Sequence, residues 1–282
     1  MPDAPPKSLY LATHDSDGRI KVEAELRQRA GLPSTFLDYR NLFGEYRINR
    51  KSALHSMRAA DADPVLLTNG LLAASLGRGA RLHRANAVAF ESTPAKVYVG
   101  LEHGVEIEAR QLVLATGYVM PDIVRATIQR AASSWAIATI PQPATLWSGG
   151  ALIWEAHENY HYARTTHDGR IVFGGEDDGV VDQEQRDALT RTKVTKLKTA
   201  LHELWPAGLL DLDYTWSGTF NTTTDGLPLI GRVPGFNNIF AAYGYGGNGV
   251  TFSYLAAYLI DLLVSGGISC LLDDFAIDRP AP

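Results

Sequence analysis

Residues Asn238–Val264 read NIFAAYGYGGNGVTFSYLAAYLIDLLV, and the fold is decided by how this stretch is read. Five residues of strand character, Ile239 to Tyr243, run into a turn holding Gly244, Gly246, Gly247 and Gly249, and an apolar helical pattern follows from Val250. A strand, a tight loop and a helix start in that order aim unpaired backbone N–H groups and the positive end of a helix dipole at one place. Such a place suits an anionic or electron-rich ligand group, and glycines let ligand atoms approach the main chain closely. Gly244, Gly246 and Gly249 spell G-x-G-x-x-G, with Asp273 where an acid that binds a ribose would fall. Only residues 274–282 follow Asp273, too few to complete a mononucleotide fold, so the loop is expected to close a domain whose other strands come earlier. The other reading of the loop alone is a turn that merely packs a helix on a sheet. An independent NAD site in GYGGNG would require a downstream βα half, and the sequence ends first.

Outward from this stretch, 282 residues with 45% hydrophobic content suffice for one large or two modest domains with a real core. The charge balance, 26 basic against 31 acidic residues, offers no support for nucleic acid or an anionic membrane as partner. A single cysteine, Cys270, rules out an internal disulfide framework and fits a reducing compartment. The opening MPDAPPKSLYLATHDSDG lacks a signal layout, and the most apolar run, Val250 to Val264, is short and interrupted by Asp261. A cytoplasmic protein is expected.

Residues 8 to 12 read as a strand, Asp15 to Gly18 as a turn, and about Lys21 to Ala30 as a charged helix stopped by Gly31 and Pro33. A second helix is expected from Asp63, as N-cap before Pro64, to Gly77, with Leu66, Leu67, Leu71, Leu72 and Leu76 as its apolar face. ARLHRANAVAFES and KVYVGLEHGVEIEA alternate as a small antiparallel ribbon feeding a buried strand, Leu112 to Ala115. That strand ends in Ala115-Thr116-Gly117, either a place for a nucleotide to lie or an ordinary strand-ending turn. Aromatic-rich strands follow from Ser134 to Asp178, with a hairpin turn at His167-Asp168-Gly169, then a helix from Gln183 to Leu204 that ends before Pro206.

Three stretches together, YHYARTTHDGRIVFGGEDD, WSGTFNTTTDGLPLIGRVPGFNNIF and AAYGYGGNGVTFSYLAAYLI, closely resemble the D-amino-acid-oxidase-like family of FAD-dependent oxidoreductases, which includes glycine, sarcosine and glutamylputrescine oxidoreductases. DGLPLIG followed by GYGGNGVT is the specific combination. The resemblance implies a mixed α/β and α+β fold: an incomplete FAD-binding Rossmann-like domain (63–130 and 217–282) interleaved with an antiparallel-sheet substrate domain (7–62 and 131–216). Positions matching the family's flavin contacts are Val88, on the strand abutting the adenine side, then Ala115, Thr116 and Gly117, and the loop Gly246, Gly247, Asn248, Gly249, Val250 and Thr251. A helix N-terminus at the flavin would stabilise the negative charge of the reduced ring.

The family opens with a βαβ unit carrying G-x-G-x-x-G, and Ser8 to Ala12 already matches a point well inside the family pattern. The chain is therefore expected to hold FAD poorly by itself, or to receive the βαβ unit from another chain. Two readings of function follow. One is oxidation of the C–N bond of an amine or amino acid by hydride transfer to FAD; the other is a truncated, catalytically inactive remnant or binding module.

Hydride transfer to flavin needs little acid–base equipment, and the sequence offers no triad and no metal-ligand cluster. His157 and His161 stand four apart without an H-E-x-x-H context and read as packing residues. Tyr160, Tyr162 and Arg164 alternate, so on a strand they share one face. That face is either a solvated exterior or a substrate site, with Arg164 pairing a carboxylate and the tyrosines flanking an amine. Trp216 and Tyr245 are further candidates for the flavin pocket, and Asp225 is expected to shape the turn in TTDGLP.

Overall fold

The computed structural model describes residues 7–13, 17–57, 59–124 and 126–281. The chain divides into two compact units, Met1–Ala62 with Ser133–Gly218, and Asp63–Ala132 with Thr219–Pro282. In chain order come β1 (Ser8–Leu11), α1 (Asp17–Arg29), β2 (Ser34–Asp38), α2 (Tyr39–Tyr46) and β3 (Ser52–Ser56). Next are α3 (Pro64–Gly77), β4 (Ala87–Ser92), β5 (Val97–Leu101), β6 (Glu106–Ala109) and β7 (Leu112–Leu114). Then follow β8 (Gln129–Thr139), β9 (Leu152–Glu155), β10 (Tyr162–Thr165), β11 (Ile171–Asp178), α4 (Gln183–Leu204) and β12 (Leu212–Thr223). The last elements are β13 (Leu229–Arg232), β14 (Ile239–Tyr243), α5 (Gly249–Val264) and α6 (Leu271–Asp274).

The first unit is organised on an eight-stranded sheet in the order β12-β8-β11-β10-β9-β1-β3-β2. Alternation along the strands sorts its side chains onto two faces. Leu9, Leu11, Ile153, Phe173 and Ile137 share one face and are buried with Leu197, Leu201 and Leu204 of α4. Asp182 starts α4 by accepting from the Gln185 N–H at 3.0 Å, and Pro206 follows the cap residue Trp205 at its end, so this helix occupies the span expected of it. Trp147 and Trp205 meet edge to face at 5.8 Å in the same core. Each indole N–H donates to a main-chain carbonyl, Ala151 and Thr145 respectively, both at 2.8 Å, so neither ring carries an unpaired donor into the interior.

On the other face, Ile20 and Ala24 of α1 pack with Leu54 and Ala12. That helix starts at Asp17, earlier than the expected Lys21, so Gly18 belongs to it; Asp15 and Ser16 of the expected turn lie outside the described residues. The β2-α2-β3 segment was not anticipated. Its short elements are set by local bonds: Asp38 accepts from the Asn41 N–H at 2.9 Å to begin α2, and Arg47 ends it in a left-handed conformation with φ 61.

In the second unit β13 pairs antiparallel with β14, which pairs parallel with β7. Ala256, Leu259 and Ile260 of α5 cover Ile230, Phe240 and Ala242 on one face. Val97 and Val99, from the antiparallel ribbon β4-β5-β6, cover Leu114, Leu229, Ala241 and Tyr243 on the other. β7 is an edge strand of its sheet among the described residues.

Two features depart from the sequence reading. Asp63 caps α3 as expected, accepting from Val65 and Leu66 N–H at 2.9 and 3.0 Å, yet none of its residues is buried and Leu66 is 71% exposed. Capping and propensity form this helix; no described element covers its leucines. Residues 246–264 are, by length and composition, apolar enough to cross a membrane despite Asp261. One stripe of α5 packs on the sheet, whereas Val250, Tyr254 and Tyr258, spaced by four, face outward.

Candidate functional site

The main chain leaves β14 through Gly244 and Gly246, at φ +74 and +53, left-handed values that glycine adopts without a Cβ penalty. A single 3-10 turn, Gly246–Asn248, then delivers Gly249 as the first residue of α5. Asn248 makes no side-chain capping bond, so the first-turn N–H groups of α5 are not satisfied by the residue before them. Gly247, Asn248, Val250 and Thr251 are exposed.

Alongside, the parallel register of Ala241 with Leu114 brings the carboxyl ends of β14 and β7 together. β7 runs on through Ala115 and Thr116 to Gly117 at φ +70, and the Thr116 hydroxyl donates to the Val119 carbonyl at 2.6 Å to hold that turn. The Tyr243 hydroxyl, at the end of β14, is buried with no hydrogen-bond partner among the described residues, and burial pushes its pKa up to about 12. Two glycine turns on adjacent parallel strands and an uncapped helix start make a cradle for a polar, electron-rich group, while the Tyr243 phenol packs on the sheet face that the β4-β5-β6 ribbon covers. The structure thus brings Ala115, Thr116, Gly117 and the loop 246–251 to one end of one sheet. Val88 lies elsewhere in the same unit, exposed on β4 of the separate ribbon. Tyr245 packs on Phe252 at 6.3 Å between ring centres, within the α5 cluster.

Asp225 shapes the TTDGLP turn by accepting from the Leu227 N–H at 3.0 Å. It also binds Arg279, whose Nε and Nη2 donate to its two oxygens at 2.7 and 2.9 Å. That guanidinium holds the Asp225 carboxyl far below the usual carboxylate range.

In the first unit, an aromatic band crosses the face opposite the main core. Tyr10 lies 5.7 Å from Trp154, Trp154 pairs in register with Tyr162, and Tyr162 lies 6.3 Å from Tyr160. Tyr160 stands just before β10 rather than on it, because the regular pairing starts at Tyr162. Burial raises both phenol pKa values, with the charge of Asp177 adding to the effect. Arg164, on the same face, reaches Asp61 at 3.7 Å. Trp216 is 45% exposed on β12, and no ring contact among the described residues ties it to the tyrosines.

The residue that sequence reading passed over is His161. Its Nδ1 lies 2.9 Å from Glu155 Oε2 and its Nε2 3.4 Å from Glu176 Oε1, while Arg50 Nη2 donates to Glu155 Oε1 at 2.7 Å. The signal available was its position between two tyrosines, since alternation sends such a residue to the core face. Burial works to raise the Glu155 pKa, but the bonds from His161 and Arg50 outweigh it and bring it down to about 2. Burial likewise opposes charge on His161, and its two carboxylate partners reverse that and raise its pKa.

The stabilities follow by linkage. The depressed Glu155 contributes above its ordinary 4.5 and loses that contribution as pH falls toward 2. The raised His161 contributes fully below its ordinary 6.5 and loses that contribution as pH climbs through its higher folded value. Urea unfolding of the first unit, followed by circular dichroism, is therefore expected to show its highest midpoint between 4.5 and 6.5. Glu155→Gln should flatten both flanks, and an unchanged profile would refute the assignment.

A family model described as FAD dependent oxidoreductase matches residues 3–262. The chain is 37% identical over 106 residues to a gamma-glutamylputrescine oxidoreductase of Escherichia coli (strain K12), a match covering 37% of this chain and 23% of that protein. Among solved structures, the glycine oxidase of Geobacillus kaustophilus superposes with a TM-score of 0.84 at 19% identity, covering 98% of this chain and 75% of that one. The iminodiacetate oxidase of Chelativorans sp. BNC1 superposes with a TM-score of 0.79 at 20% identity, over 98% and 76%. At such identities the likeness is one of fold.

Proposed function

Because the chain belongs to the FAD-dependent oxidoreductase family, we propose that it oxidises the C–N bond of an amine or amino acid, with hydride passing to flavin. The observation that carries this reading is the cradle at the ends of β14 and β7, in the loop that the family match includes. FAD, when bound, supplies the hydride acceptor. The chain's own contribution is electrostatic and positional. The first-turn N–H groups of α5 and its dipole favour negative charge on a reduced ring, the Asn248 N–H being used within the loop on the Tyr245 carbonyl. Gly117, beside which a Cβ would meet nothing within 4 Å, leaves room for its close approach.

Substrate recognition is assigned to the aromatic band: Tyr160 and Tyr162 offer phenol faces to a cationic amine, and Arg164 a fork for a carboxylate once Asp61 releases it. The printed names of the relatives, gamma-glutamylputrescine, glycine and iminodiacetate, are all of amines or amino acids, which supports the substrate class. The proposal includes a βαβ unit, carried on the same polypeptide or by another, that adds a strand to the open edge of β7 and covers α3.

The exposure of every α3 residue favours a second reading, a truncated, catalytically inactive remnant or binding module that does not hold FAD on its own. Visible absorption separates them. The chain with FAD and a βαβ-bearing polypeptide is expected to show bound-flavin bands that bleach anaerobically with primary or secondary amines. A colourless protein under those conditions would overturn the oxidoreductase reading.

A further inference from the structure

Tyr160, His161 and Tyr162 are built around Gly174, Gly175 and Glu176 of the neighbouring strand, residue against residue. A Cβ at Gly174 would lie 2.4 Å from Tyr162 Cζ, so the tyrosine ring occupies the space the glycine leaves open. A Cβ at Gly175, itself at φ +140, would lie 2.8 Å from the Tyr160 carbonyl and 2.9 Å from His161 Cδ2. Glu176 then takes φ +59, a left-handed conformation unusual for a residue with a side chain. The register of β11 on β8 shifts between Gly175 and Asp178, which marks the bulge.

Side-chain bonds hold the bulge in place. Lys193 Nζ donates to the Glu176 carbonyl at 2.8 Å, and Lys196 pairs with its Oε2 at 3.3 Å. The His161 imidazole stacks on Phe173 at 5.2 Å and spans from Glu176 to Glu155, which also accepts the His161 backbone N–H at 3.2 Å. Both ring nitrogens thus face acceptors, and only the doubly protonated ring donates to both. The charged groups around it are Glu155 on β9, Arg50 before β3, Glu176 on β11, and Lys193 and Lys196 on α4, with Asp178 of β11 paired to Lys193.

We propose that His161 is a positioning residue: by bridging Glu155 and Glu176 beneath the strand, it sets the pose of Tyr160 and Tyr162 on the opposite face, and with it the fit of the amine substrate. The substrate half rests on the function proposed above. The link is mechanical because His161 is joined directly to both tyrosines and Glu155 holds its main-chain N–H as well as its ring. When the ring loses a proton, one carboxylate bond is withdrawn and the phenols loosen.

The test uses the full chain with ring-labelled tyrosine, followed by NMR across pH, with Tyr160→Phe and Tyr162→Phe to assign signals. In the unmodified chain both tyrosine signals are expected to move with the midpoint of the His161 imidazole. His161→Phe, which keeps an aromatic ring to stack on Phe173, and Glu176→Gln should each abolish that response. In the flavin-loaded protein, both variants should raise KM for the amine about tenfold while kcat stays within about twofold. An unchanged tyrosine response in both variants would overturn the linkage. Loss of the response with KM unmoved would overturn the substrate half and leave the linkage standing.

Discussion

Residues 1–282 by themselves are expected to bind FAD at least about two orders of magnitude more weakly than the same residues joined to, or mixed with, a βαβ unit carrying its own G-x-G-x-x-G. In the function proposed above, the cradle on β14 and β7 addresses one end of such a ligand, and its glycine turn is the single G-x-G-x-x-G in residues 1–282. A pyrophosphate held by a second helix start would add two or three charge-assisted bonds of about 1.5 to 3 kcal/mol each, and about 1.4 kcal/mol is a factor of ten in affinity. That proposal gives a use to two surface features. β7 offers an unpaired edge to a further parallel strand, and α3 presents Val65, Leu66 and Leu71 with nothing described above them. Titration of flavin fluorescence with and without the added unit measures the difference directly. Equal affinities would mean that the second unit completes its own site and that the open edge serves another purpose.

Replacing Arg279 with Met is expected to destabilise the second unit by about 3 kcal/mol, the low end for breaking a buried ion pair, because Asp225 keeps some contact with water. The guanidinium is 8% exposed and spends its donors on both Asp225 oxygens and on the carbonyls of Leu227, Pro228 and Ala276. Removing it strips the Asp225 carboxylate of its cation and the Pro228 carbonyl of its donor, while Leu227 keeps the Thr223 hydroxyl and Ala276 the Arg279 main-chain N–H, and it releases the C-terminal segment from the TTDGLP turn. Asp225→Asn alone should cost less, since the amide keeps the Leu227 N–H bond. The double variant should fall short of the sum by about 2 kcal/mol, the signature of a direct pair. Chemical denaturation of the four proteins provides the cycle; strict additivity would show that the two side chains act separately.

Where the sequence was legible, the signal was local. Asp63-Pro64 announced α3 and Pro206 ended α4, because caps and breakers act within one turn of themselves; the Asp182 cap of α4 came from the structure. The glycine turn after Tyr243 could be read for the same reason, and it led to the fold. What was not legible depended on distant partners. The parallel pairing of β1 with β9 joins Leu9 to Ile153, and neither segment hints at the other. His161 resembled a packing histidine until Glu155 and Glu176 were found on separate strands beside it. The tyrosines were visible as an alternating pair, but Tyr160 falls outside β10 because Gly175 and Glu176 bulge beneath it. The leucines of α3 could be recognised as apolar and not as uncovered, since cover is a property of neighbours.

The buried Trp147–Trp205 pair has an experimental consequence. Every tryptophan of the chain, at positions 135, 147, 154, 205 and 216, falls within Ser133–Gly218, and none within the second unit. Intrinsic emission excited at the red edge of protein absorbance is therefore a colour belonging to one unit, while the other is seen only through its tyrosines. A melting curve of that emission follows the first unit alone, and set beside the circular dichroism of the whole chain it shows whether a substitution has damaged that unit without labelling it.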